Sequence, residues 1–142
     1  MGVDAEFYVR TVEPMTDADM EALQAALREM RGNDWYRVYR SFDDERVVEC
    51  RDGTRFYAPE YARGPWDELR ATGDWLMLRF GETAEVRYGG DCDWSWDSAL
   101  SWPDARKRGD EHWASSGHRT YHWSLDCQCD HCATLPAIGV TS

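Results

Sequence analysis

The densest grouping of reactive side chains is Cys127-Gln-Cys129-Asp-His131-Cys132, three thiols and an imidazole within six residues. Thiolates at C-x-C and C-x-x-C spacing can point into one tetrahedron while nearby backbone N–H groups stabilise their charge, which is the chemistry of a structural zinc site. A fourth ligand has to come from His122, His118, Cys92 or His131, and His122 is preferred because it stands on a candidate strand, 119–125, that leads into the knuckle. The expectation is therefore a structural zinc ion held by Cys127, Cys129, Cys132 and His122. Free thiols on a tail, or a disulfide formed on oxidation, are the alternatives, since the five cysteines are an odd number in a chain without a secretion signal. A catalytic zinc would need an open coordination position and a base; Glu111-His112 is the only nearby pair of that kind, and no HEXXH is present.

A second grouping is aromatic. Tyr61, Arg63 and Trp66 surround Pro59 and Gly64, and the turn Tyr88-Gly89-Gly90-Asp91 can lie near one edge of that loop. Stacking rings, an arginine and the Asp91 carboxylate make a small pocket for a nucleotide-like ligand. The competing reading is a rigid loop whose rings cap the end of a sheet and whose Arg63 pairs with a local acid. Other catalytic signatures are missing: no P-loop, no G-x-G-x-x-G after a strand, no G-x-S-x-G. Paired carboxylates such as Asp43/Asp44 and Asp91/Asp93 read as turn and surface residues, so no catalytic residue is assigned.

The formal net charge of -11 over 142 residues disfavours direct nucleic-acid binding, which needs lysines and arginines to displace counterions. It suits a partner with a basic surface. No apolar run is long enough for a membrane span, and MGVDAEFYVR has neither a basic n-region nor an apolar h-region, so a cytoplasmic protein is expected.

These side chains need elements to position them. Ala5, Phe7 and Val9 alternate with Glu6, Tyr8 and Arg10, the period of a half-buried strand. Thr16 and Asp19 form a capping box ahead of Met20, Leu23, Leu27 and Met30 at helical spacing, and Gly32 is a natural stop. Between Trp35 and Tyr57 short antiparallel strands are expected, with Asp52-Gly53 as the favoured hairpin turn pairing 45–50 with 54–57. Gly64-Pro65 opens a second helix carrying Trp66, Leu69, Leu76, Met77 and Phe80; Gly73 weakens its middle by about 1 kcal/mol, and Gly81 ends it. Ala84, Val86 and Tyr88 form a last strand.

Strand, helix, strand pair, helix, strand is the order of a ferredoxin-like split βαβ, an α+β fold with two helices on one face of an antiparallel sheet. It is expected over residues 1–91. Residues 92–142 form a Trp- and Cys-rich C-terminal extension packed on or near that core, with tryptophans at 94, 96, 102, 113 and 123 and a short helix starting near Pro103. Those tryptophans either close the open face of the sheet or form an aromatic docking surface.

RFYAPEYARGPW and EVRYGGD, separated by a helix, resemble the pattern of small uncharacterised phage and prophage proteins of actinobacteriophage type, with a Tyr-rich Gly-Pro-Trp loop before the helix and a Tyr-Gly-Gly-Asp turn after the last strand. The resemblance spans about 55–91 and departs from the pattern at Ala58 and Glu60, where glycine is common. It implies a phage origin and a fold rather than an activity. The combined expectation is a non-enzymatic, acidic interaction protein, monomeric or a small homo-oligomer, that binds a host or phage protein, as a defence inhibitor or DNA mimic. The alternatives are a nucleotide-like ligand module or small enzyme using the aromatic loop, and a zinc-stabilised assembly protein.

Overall fold

A computed structural model of the chain describes residues 5–32, 36–52, 65–90 and 96–116. Its central strand is β1 (Ala5–Thr11), paired along both edges. Successive side chains of a strand point to opposite faces, and β1 uses this: Phe7 and Val9 enter the main core, whereas Tyr8 packs on the other side with Val47, Ala99 and Trp96.

Helix α1 (Asp17–Arg31) follows, started by the anticipated capping box. The Asp19 N–H donates to Thr16 Oγ1 and the Thr16 N–H donates to the Asp19 carboxylate, both at 3.1 Å. Gly32 closes the helix at φ 77°, a backbone conformation that costs glycine nothing. The chain continues through β2 (Tyr36–Arg40), β3 (Val47–Asp52), α2 (Pro65–Phe80), β4 (Ala84–Gly90), β5 (Leu100–Ser101) and α3 (Trp102–Ser116).

The sheet has five strands in the order β2-β3-β1-β4-β5, every neighbour antiparallel, so the fold is α+β with an open antiparallel sheet and three helices. All three helices cover one face: Leu23 and Leu27 of α1, Leu69 and Leu76 of α2, and Trp102 and Ala105 of α3 join Phe7, Val9, Val86 and Tyr88 in one cluster. Residues 96–116 are thus part of the layered core, with β5 extending the sheet and α3 packing on α2 through Arg106–Asp74 (3.2 Å) and Arg70–Asp110 (3.7 Å).

One expectation is corrected. The hairpin does not turn at Asp52-Gly53: β2 and β3 are joined through 41–46, and β3 has β2 on one edge and β1 on the other. Both edges of β3 are taken, by β1 over Val47–Asp52 and by β2 over Val48–Asp52, and 54–57 lie outside the described residues. Asp43-Asp44 supplies the turn chemistry instead, because Asp44 bonds its own backbone two and three residues on: Arg46 N–H to Asp44 Oδ1 at 2.9 Å and Val47 N–H to Asp44 O at 3.0 Å.

Gly73 also has a structural reason. Its Cα faces the Trp102 ring so closely that a Cβ there would overlap the indole. The helix gives up propensity at this point so that α3 can seat its tryptophan against α2. At the sheet's β2 edge, Gln24 of α1 donates to Tyr36 O (2.6 Å) and accepts from the Val38 N–H (2.9 Å), occupying backbone groups that would otherwise invite another strand. Among the described residues no helix is long and apolar enough to cross a membrane.

Candidate functional site: the acidic end of the sheet

Because β1 and β2 are both antiparallel to β3, they run the same way, and β4 runs opposite to β1. The C-terminal ends of β1 and β2 therefore meet the N-terminal ends of β3 and β4 at one end of the sheet. Three connections emerge there together: 12–16 after β1, 41–46 between β2 and β3, and 81–83 before β4. Thr11 marks the junction, opposite Ala84 in the register and donating its N–H to Arg46 O at 3.0 Å.

Each connection brings carboxylates. Glu13, Asp17 and Asp19 arrive with the first, Asp43, Asp44 and Glu45 with the second, and Glu82 with the third. Arg40, half-buried at the end of β2, ties two of them together: its guanidinium donates to Met15 O (2.7 Å) and Glu45 O (3.1 Å) and lies 3.5 Å from the Asp17 carboxylate. Arg46 pairs with Asp44 at 3.1 Å, and hydrogen bonds from the Arg46 side chain and backbone hold the Asp44 carboxyl below its ordinary range. Arg10 pairs with Glu85 at 3.0 Å.

Arg10, Arg40 and Arg46 are thus paired, Arg79 lies near the Trp75 and Phe80 rings, and the anions at this end outnumber these cations. Among the described residues Glu13, Asp43, Glu45 and Glu82 take part in no ion pair. Two large apolar side chains stand exposed among these acids, Val12 at 79% and Phe42 fully. Val12 forms a ridge between two hollows. One, of about 570 Å³, runs between Val12, Met15, Phe80 and the first turns of α1; the other, of about 420 Å³, is walled by Arg10, Arg46, Glu82 and Glu85.

The sheet face away from the helices is the second concentration of charge. Glu6 is 1% exposed; it accepts from the Tyr8 hydroxyl at 2.5 Å and pairs with Arg51 at 2.6 Å. Burial, then the hydrogen bond to Glu6, pushes the Tyr8 hydroxyl far above its ordinary range, so Tyr8 is a donor. Burial, then the Glu6 charge, raises the neighbouring Glu49 carboxyl. Further along, the Trp96 ring lies under Arg10 and Arg87, at 4.7 and 4.1 Å, and its carbonyl accepts from Arg87 at 2.8 Å. Trp96 thus lies over the open face, one of the two roles expected of the tryptophans. Trp102 does something different and completes the helix-side core.

Of the expected pocket residues, Tyr88 is fully buried, its ring 5.1 Å from that of Phe7 and 5.8 Å from that of Trp102, so it faces the core rather than a loop. Trp66 falls in the first turn of α2. Tyr61, Arg63 and Asp91 lie outside the described residues, as do all four zinc candidates, Cys127, Cys129, Cys132 and His122. Cys50, which is described, is wholly buried, and its thiol is pushed up to about 12, so it is no nucleophile.

Sequence reasoning did not find the acidic end. Its signal was present in Phe42-Asp43-Asp44-Glu45, but an acid run reads as turn chemistry until the topology sets it beside Glu13 and Glu82. Compared with known proteins, the chain matches no family model, no curated protein and no solved structure.

Proposed function

We propose that this chain is a non-enzymatic interaction protein that docks the acidic end of its sheet onto a basic surface of a protein partner. The observation that carries the proposal is the convergence at one end of the sheet of three connections that bear Glu13, Asp43, Glu45 and Glu82, none ion-paired among the described residues, and the exposed side chains of Val12 and Phe42. Unneutralised carboxylates steer encounter with a cationic surface and exclude anionic ones, and the apolar pair supplies the desolvated centre that a stable contact needs. The net charge of -11 acts in the same direction.

Two finer readings belong to the same proposal. The order β2-β3-β1-β4, with α1 and α2 as crossovers on one face, supports a ferredoxin-like split βαβ extended by β5 and α3. The likeness of the 55–91 stretch to phage and prophage proteins supports a host or phage protein as partner, met in the host cytoplasm, with a nucleic-acid-binding cleft as the kind of basic surface this end fits.

The test is affinity capture with the wild type and with Phe42→Asp, an exposed change that leaves the core intact. A basic protein retained by the wild type, released by salt or competing DNA and lost with Phe42→Asp, is the expected result. Recovery of the same proteins by both chains, unaffected by salt, would sink the proposal.

A further inference from the structure

The hollow beside Val12 differs from the rest of the acidic end in having an apolar floor. Met15 and Phe80 line it, Val12 stands over it, and Ala22 of α1 forms part of the far wall. Its rim is acidic on three sides, with Glu13 on the β1–α1 connection, Asp19 on α1 and Glu82 on the turn before β4. The one rim cation, Arg79, is turned toward the rings of its own helix, its guanidinium carbon 5.5 Å from the Trp75 centroid and 5.7 Å from that of Phe80.

From this combination we infer that the hollow seats a partner segment in which a lysine or arginine adjoins a bulky apolar side chain. The apolar side chain occupies the floor over Met15 and Phe80; the cation lies on the rim and pairs with Glu13 or Glu82. Charge complementarity selects the occupant. A segment with acidic neighbours meets three carboxylates, and a second copy of this chain brings a net charge of -11 against its like. The cavity of about 570 Å³ takes one or two large side chains, the scale of a side-chain anchor rather than of a whole domain face. The inference rests on the acidic-end reading and adds the chemistry of the contact at its centre.

The test uses the full chain, isotopically labelled for amide spectra, and three synthetic peptides: one alternating leucine with arginine, one leucine with glutamate, and one serine with arginine. The leucine–arginine peptide is expected to bind saturably and to shift the amides of Val12, Ala22 and Thr83. Val12→Asp and Glu82→Lys, both at exposed positions, should each weaken that binding by about tenfold, and the other two peptides should bind more weakly. Shifts confined to 41–46 would overturn the groove assignment while leaving the acidic-end reading intact. Equal binding of the serine–arginine peptide would overturn the apolar anchor. Absence of saturable binding by any peptide would overturn the inference, with the capture experiment still deciding the broader reading. A mass that rises with concentration and falls with Val12→Asp would replace the foreign segment with a second copy of the chain, also overturning it.

Discussion

The two faces of the sheet are built from the same strands and are held in different ways. Toward the helices, β1 presents Phe7 and Val9, β3 presents Val48 and Cys50, and β4 presents Val86 and Tyr88; these pack with Trp102, Leu23, Leu27 and Leu76 into one apolar cluster. Toward the other side the same strands present Glu6, Tyr8, Arg10, Glu49, Arg51, Glu85 and Arg87, joined by ion pairs and by two arginines over Trp96. Apolar burial is non-directional and tolerates approximate fits, whereas a buried carboxylate demands its partners at defined positions. The helix face therefore supplies most of the stability. The charged face supplies register, because a one-residue slip of β1 would drive Glu6 into the apolar cluster.

The largest effect that separates the faces is expected at Trp102. Its indole is the biggest fully buried side chain among the described residues, touches Phe7 and Tyr88 edge-on and donates its N–H to Asp74 at 3.0 Å. Trp102→Ala should cost about 3–5 kcal/mol, the range for truncating a buried aromatic. Gly73→Val should cost a comparable amount from the opposite direction, by forcing the ring out of its seat. Denaturant midpoints measure both, and a small loss in either would mean that α3 is a loosely attached element.

On the charged face the corresponding change is Glu6→Gln. It keeps the volume but removes the charge that holds Arg51 at 2.6 Å and accepts from Tyr8 at 2.5 Å. Because the Arg51 side chain is partly in water, the penalty is discounted to about 1–3 kcal/mol. The variant should unfold earlier yet retain the helix-side core, seen as unchanged amide chemical shifts at Leu23 and Leu27. Equal losses at both sites would erase the distinction between the faces.

How much of this was legible beforehand follows the same division. The helix face was readable because periodicity reports apolar burial: Phe7 and Val9 at period two, Leu23 and Leu27 at helical spacing, and the Thr16–Asp19 capping box all stand where local pattern put them. The charged face and the acidic end were not, since Glu6, Arg51 and Glu85 look like ordinary surface residues in sequence and become a network only through pairing between distant strands. The hairpin was misplaced for a related reason. Asp52-Gly53 is the stronger local turn signal, but β3 needs both of its edges for β1 and β2, and that non-local demand selected the Asp44 turn. The Trp102–Gly73 contact joins residues that local pattern could only read separately, as one tryptophan of the C-terminal extension and a weak point in a helix.

Tyr8→Phe probes the charged face by pH. The folded Tyr8 hydroxyl is raised above its unfolded value of 10.0, mainly by burial and then by Glu6, so the stability it contributes is fully present below pH 10 and is lost as pH rises beyond it. The wild type should lose stability steeply above about pH 10, and Tyr8→Phe should flatten that slope at a cost of about 1 kcal/mol at neutral pH from the missing hydrogen bond. Alkaline unfolding followed by circular dichroism reads the difference. Superimposable slopes would place the steep phase elsewhere.

The smallest effect, and the one whose sign best distinguishes the faces, is expected at Glu49. Burial first and the Glu6 charge second raise its carboxyl above 4.5, while Arg51 opposes them. A carboxyl with a raised folded value favours the fold when protonated, so its contribution is complete below pH 4.5 and is lost as pH climbs through the folded value. Asp44, held low by Arg46, does the reverse: its contribution is present above 3.8 and disappears as pH falls through its folded value. Glu49→Gln should therefore stabilise the chain at neutral pH and bring it level with the wild type in mild acid, whereas Asp44→Asn should destabilise it at neutral pH and converge with the wild type in stronger acid. Urea midpoints taken across that range measure both. A destabilising Glu49→Gln at neutral pH would mean that the Glu49 charge is needed by Arg51, and the charged face would then be one fully compensated network rather than a pair, Glu6 with Arg51, burdened by a third charge.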